Sequence, residues 1–116
     1  MKKTKLFSLK SKEGFSSVFD KGNFYKANNI GLRFYAGNNK DYFVGYTVSK
    51  KNFNRAVDRN LIKRRIKAGV NIEKNSFFDN CLPGNYLFIY LGKEISSSSI
   101  LFTNIQLVIK KLIQDT

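Results

Sequence analysis

The chain has 116 residues, 42% of them apolar, and sets 21 lysines and arginines against 8 carboxylates, a formal charge of +13 with no histidine. That length and apolar content suit one domain with a modest core, and that charge points toward nucleic acid or another anionic surface. No run of about 18 apolar residues suits a bilayer, Cys81 alone makes neither a disulfide nor a zinc set, and the opening MKKTKLFSLKSKEGF lacks the apolar centre of a signal peptide, so a cytoplasmic location is expected.

In chain order, residues 1–8 are basic and expected to be loose. Residues 11–22, SKEGFSSVFDKG, read as a short helix, with Phe15, Val18 and Phe19 at i, i+3, i+4 and Gly22 as its stop. Phe15 and Phe19 suit core packing; the competing use is the wall of a groove where bases stack. Residues 23–28 suit a brief edge strand. In residues 29–37, Ile30, Leu32 and Phe34 alternate with Gly31, Arg33 and Tyr35, the mark of a strand with one apolar face. GNNKD then turns the chain. In residues 41–51, Tyr42, Val44, Tyr46 and Val48 alternate with Phe43, Gly45, Thr47 and Ser49. The two strands are expected to pair as a hairpin, with Arg33, Tyr35 and a tyrosine of the partner strand on its open face as a polar-aromatic platform.

Residues 50–67, KKNFNRAVDRNLIKRRIK, hold eight cations and one carboxylate, a net +7 of the chain's +13. A helix is expected from about Asn54, with Asn54 as N-cap and Asp58 near the positive end of the dipole. At about 100° per residue, Ile62, Ile66, Gly69 and Val70 share one side. Arg59, Asn60, Lys63, Arg64 and Lys67 share a broad adjoining side. The apolar stripe docks the helix. Like charges at i, i+4 repel, and a polyanion would relieve that repulsion with counterion release. A merely solvated basic face is the plainer alternative; the charge density favours the polyanion.

Residues 75–85 read as a loop with apolar anchors, turned by Pro83-Gly84, and Cys81 as a small, partly buried residue. Residues 85–92, NYLFIYLG, form an unbroken apolar run and predict a buried central strand. Serines 96–99 suit an N-cap. Residues 100–114 read as an amphipathic helix with Phe102, Ile105, Ile109 and Leu112 on one face and Lys110 and Lys111 near its end. Asparagine is abundant, so single asparagines carry little weight.

The chain offers no catalytic set of its own. Without histidine the usual general base is missing, and the eight acids are scattered singly, with no pair on one element for a two-metal nuclease. No phosphate-binding glycine loop is present. Neither a catalytic residue nor a metal ligand is assigned to it.

Val48-Ser49-Lys50-Lys51, then Ala56-Val57, then Arg59-Asn60, Lys63-Arg64 and Lys67 form a pattern. With the early Phe15-x-x-Val18-Phe19-x-x-Gly22, it resembles the protein components of bacterial ribonuclease P over almost the whole chain. Leu61 stands where that motif carries a second arginine, Arg65 appears one turn later, and Lys67 replaces an arginine. The resemblance implies an α/β (α+β) two-layer sandwich of order α-β-β-β-α-β-α, with a left-handed β-α-β crossover against the usual rule. It implies a single RNA-binding domain over residues 1–116. The catalyst would be a partner RNA that holds Mg²⁺ and removes the 5′ leader of precursor transfer RNA. Lys50, Lys51, Arg55, Arg59, Asn60, Lys63, Arg64 and Lys67 would face that RNA. Phe15, Phe19 and Arg33 would line a groove for the leader. A ribosomal or RNA-chaperone protein of the same fold is the alternative, and a self-sufficient metal nuclease a third.

Overall fold

A computed structural model describes residues 6–9, 12–36 and 40–115, with the side chains of 12–15, 77 and 78 outside that description. The elements are β1 (Leu6–Ser8), α1 (Lys12–Lys21), β2 (Asn23–Ala27), β3 (Ile30–Tyr35), β4 (Tyr42–Val48), α2 (Ala56–Ile72), α3 (Lys74–Asn80), β5 (Gly84–Tyr90) and α4 (Ser98–Asp115). The expected order is present, with β1 and α3 added to it.

The strand with no polar side takes the middle of the sheet. The strand order is β1-β4-β5-β3-β2, with β5 parallel to β4 and antiparallel to β3. Tyr86, Phe88 and Tyr90 are buried on one side of β5 and Leu87 on the other, and burial on both faces removes any need for alternation. This corrects the expected hairpin: β3 and β4 do not pair, because β5 lies between them. Alternation fixes which way each side chain points but not which strand is its neighbour. Of the expected turn at 37–41, residues 37–39 lie outside the described residues. The real hairpin is β2–β3, turned at Asn28, whose φ of 55° is a left-handed value that asparagine tolerates. Residues 6–8, expected to be loose, pair in parallel with β4 from Leu6↔Tyr42 to Ser8↔Val44. The remaining residues 1–5 lie outside the described residues. β4 and β5 are joined through α2 and α3, the crossover for which the resemblance implies a left-handed sense.

The two faces of the sheet are covered unequally. On one, Ile30, Leu32, Phe34, Val44, Val48, Tyr86 and Phe88 pack with Ile62, Ile66 and Val70 of α2 and with Leu101, Ile105, Val108 and Leu112 of α4. On the other, α1 places Val18 against Leu87 and Leu9, with Tyr35, Phe43 and Ile89 around them. The buried residues of α2 are the four expected: Ile62, Ile66, Gly69 and Val70. Gly69 lets α4 come close, since a Cβ there would lie 2.6 Å from Ile105 Cδ1 and 2.9 Å from Phe102 Cδ1. The α4 stripe is turned from the expected one: Leu101 and Val108 are buried and Phe102 stays half-buried at its edge.

Helix ends depart in detail. Arg55, not Asn54, is the N-cap of α2, and its side chain makes no capping bond. The serines before α4 do cap it: Ser97 Oγ accepts from Ile100 N–H at 3.4 Å. That helix runs on to Asp115, so Lys110 and Lys111 lie inside it, not in the last turn. Lys111 Nζ instead donates to the Lys26 carbonyl at 2.6 Å. The expected loop after α2 is partly the short helix α3.

Asparagines that carry little weight in the sequence form a part-buried polar brace. Asn28 Nδ2 donates to Asn104 Oδ1 at 2.8 Å, Asn104 Nδ2 to Asn29 Oδ1 at 2.7 Å, and Asn29 Nδ2 to Ser96 Oγ at 2.7 Å. The brace ties the β2–β3 turn to α4 and to the loop between β5 and α4. Asn104 is buried, and a buried amide left unpaired would be destabilising, which explains why its partners come as a set.

Candidate nucleic-acid interface

The basic helix begins from a pinned loop. Ser49 Oγ accepts from Lys51 N–H at 3.1 Å and Asn52 N–H at 3.4 Å, and Phe53 N–H donates to the Ser49 carbonyl at 3.0 Å. Phe53 is buried against Tyr90, ring centroids 5.8 Å apart. From the first turns of α2, Arg59 Nη1 donates to the Phe53 carbonyl at 2.8 Å. The serine, the buried ring and the arginine together hold Lys50 and Lys51 exposed where β4 leaves the sheet.

Along α2 the docked side fixes what the rest must do. Asn60, Arg64 and Lys67 are exposed, and Arg59 and Lys63 are half-buried at the margin of the docked stripe. Arg55 is exposed and lies 3.8 Å from Asp58, a surface pair worth about 0–1 kcal/mol. It is the sole ion pair among the described residues. Lys50, Lys51, Lys63, Arg64 and Lys67 therefore carry their charge without a carboxylate within 4.0 Å among those residues. Of the expected contacts, Arg59 alone donates a side-chain hydrogen bond inside the protein among the described residues.

Arg65 points elsewhere. Its Nη1 donates to the Ser96 carbonyl at 2.6 Å, on the margin of α2 that meets the loop before α4. It therefore does not stand in for the arginine that Leu61 replaces; it braces the helix to the asparagine network through Ser96.

The second set lies on the opposite face of the sheet. Phe19 on α1 is 50% exposed, so it is not a core residue. The Arg33 guanidinium lies over its ring at 5.6 Å, which brings two of the three expected groove residues together. The side chain of Phe15, the third, lies outside the described residues. Sequence reasoning missed Phe24, whose ring lies 5.0 Å from the same guanidinium. The register pairs Phe24 with Arg33 across β2 and β3; the strand at 23–28 is an expected one, and its register with β3 would have found the pair. Lys21 Nζ stands 5.9 Å over the Tyr35 ring nearby. The tyrosines of β4, Tyr42 and Tyr46, face the α2–α4 core and do not join this platform. The two sets therefore do not merge into one patch.

The arrangement defines a class: a small mixed α+β protein that docks a strongly cationic helix on one face of its sheet and leaves the charge uncompensated. The Ribonuclease P family profile matches residues 2–114. The ribonuclease P protein component of Petrotoga mobilis is 33% identical over 109 residues, 91% of this chain and 87% of its own length. In fold, the chain is similar to the RNase P protein of Staphylococcus aureus, with a TM-score of 0.76 at 22% identity over 93% of this chain and 96% of that one. It is similar also to the Thermotoga maritima RNase P protein, with a TM-score of 0.73 at 17% identity over 90% and 96%. The chain belongs to the ribonuclease P protein family.

Proposed function

We propose that this chain is the protein subunit of a ribonuclease P ribonucleoprotein: it binds the catalytic RNA through α2 and the 49–55 loop, and holds the 5′ leader of precursor transfer RNA across the α1 face of the sheet. The observation that carries the reading is the row Asn60, Arg64 and Lys67, with Lys63 beside it, displayed from a helix whose far side is locked by Ile62, Ile66 and Val70. A rigid cationic row gains counterion entropy from a phosphate backbone without first having to order itself.

Hydrolysis is assigned to the RNA. Following the resemblance, we place the Mg²⁺ on the RNA, where it would activate water at the scissile phosphate. The protein's residues position and neutralise: added positive charge near the RNA lowers the Mg²⁺ concentration needed to fold and bind. We place this work in the cytoplasm, with the transfer RNA precursors.

A cleavage assay tests the proposal. Protein plus the catalytic RNA should cut precursor transfer RNA at lower Mg²⁺ than the RNA alone, and protein alone should cut nothing. Cutting by the purified protein, or no shift in the Mg²⁺ requirement, would overturn it. Arg64→Ala should lower the slope of log affinity against log salt by roughly 0.7–0.9; an unchanged slope removes Arg64 from the interface.

A further inference from the structure

Arg33 is unusual among the cations of this chain. It is half-buried, its Nε lies out of reach of water with no hydrogen-bond partner, and its guanidinium carbon lies over two rings, Phe24 at 5.0 Å and Phe19 at 5.6 Å. Buried donors are nearly always paired; this one is covered by the chain itself, so a ligand would meet the outer Nη donors of the half-buried guanidinium. Cation–π contact holds the charged group from its faces and leaves the in-plane N–H donors unused. Phe24 is itself fixed: it lies against Gly31, where a Cβ would sit 2.8 Å from its Cε1, and it is the cross-strand partner of Arg33. Yet Phe24 is 44% exposed and Phe19 50%, so both rings also offer surface outward.

From this geometry we infer that Phe19 and Phe24 hold Arg33 as a fork that reads a guanine of the bound leader, with Phe24 as a positioning residue. This rests on the leader-binding reading above. A planar fork of N–H donors matches two acceptors side by side, either the O6 and N7 of guanine or two phosphate oxygens. The surroundings select the base. Exposed aromatic faces stack bases, not phosphates, and solvent-facing Lys26 and Lys21 flank the site for the backbone. Leader recognition then has a sequence preference: guanine over adenine, whose edge sets an amino donor against the fork.

The test uses the reconstituted holoenzyme and precursor transfer RNAs with an all-adenine leader in which a single guanine is moved position by position. Binding is measured for each. One position should bind at least tenfold tighter as guanine than as adenine, and 7-deazaguanine there, which lacks the N7 acceptor, should lose most of the gain. Arg33→Lys keeps the charge without the fork, and Phe24→Leu keeps bulk over Gly31 without the ring; both should bring the guanine-to-adenine ratio toward one. A scan with no preferred position, or a ratio that survives Arg33→Lys, overturns the inference. So does a loss of salt slope in Arg33→Gln with no base preference in the parent, which assigns the fork to phosphate. If the parent does not distinguish leader-bearing from mature transfer RNA at all, the leader-binding reading itself fails, a result separate from a flat guanine scan.

Discussion

Arg64 and Arg65 are adjacent in the sequence and opposite in use. Arg64 is exposed, with no carboxylate beside it among the described residues, whereas Arg65 holds the Ser96 carbonyl at 2.6 Å. Arg65→Ala should therefore lower stability by about 1 kcal/mol, a charged hydrogen bond discounted for its half-exposed setting, and leave the salt slope of RNA binding as it was. Arg64→Ala should do the reverse. Urea unfolding and salt-dependent binding of both variants check the pair. Angular position on an ideal helix already separates Arg65 from the basic side; what it meets there could not be read, because Ser96 is 31 positions away. Gly22 is a second residue with a definite test. A Cβ there would lie 2.4 Å from the Val18 carbonyl oxygen and 3.1 Å from that of Phe34, both backbone atoms that cannot swing aside. Gly22→Ala should destabilise by roughly 1–3 kcal/mol, read as a lower urea midpoint, and should shift α1 relative to β3.

At the scale of elements, the docking of α2 is what turns sequence charge into a surface. Ile66 is fully buried between the sheet and α4, and Ile66→Ala should remove about 2–5 kcal/mol of stability. RNA affinity should fall as well, although Ile66 touches no RNA, because a loosened helix must be ordered on binding; comparison with an osmolyte-stabilised sample separates the two. The stripe of α2 was legible because four buried residues at helical spacing leave little choice of face. Strand faces were legible for the same reason at period 2. Strand neighbours were not: Tyr42–Val48 pairs with Leu6–Ser8 and Gly84–Tyr90, choices made by burial across the whole sheet. The three-residue β1 and the seven-residue α3 are too short to show a period. Of the candidate groove, Phe19 and Arg33 were expected together from the resemblance and lie together in the fold, while Phe24 needed the β2–β3 register.

For the whole molecule, the charge of +13 sets both a partner class and a vulnerability. A polyanion at about a thousand times its Kd should raise stability by about 4 kcal/mol, and raising salt from about 50 to 200 mM should erase most of that gain; thermal melts with and without RNA check it. Alkali acts the other way. Burial pushes the Cys81 thiol up from 9.0 to about 11 and the Tyr46 hydroxyl up from 10.0 to about 12. The unfolded chain then loses those protons first as pH rises, so their contribution is level below about pH 8 and falls from about 9 upward to about 12. Cys81→Ala should remove the first part of that decline in urea midpoint, and comparison with the parent cancels the relief of lysine repulsion over the same range. The central place of β5 has a further consequence for how the protein is made. Both inner partners, β3 and β4, wait on residues 84–90, so a growing chain displays its cationic segment before it owns a closed sheet. Nascent copies should thus meet cellular polyanions while still half-built, because closure of such long-range pairing is slow.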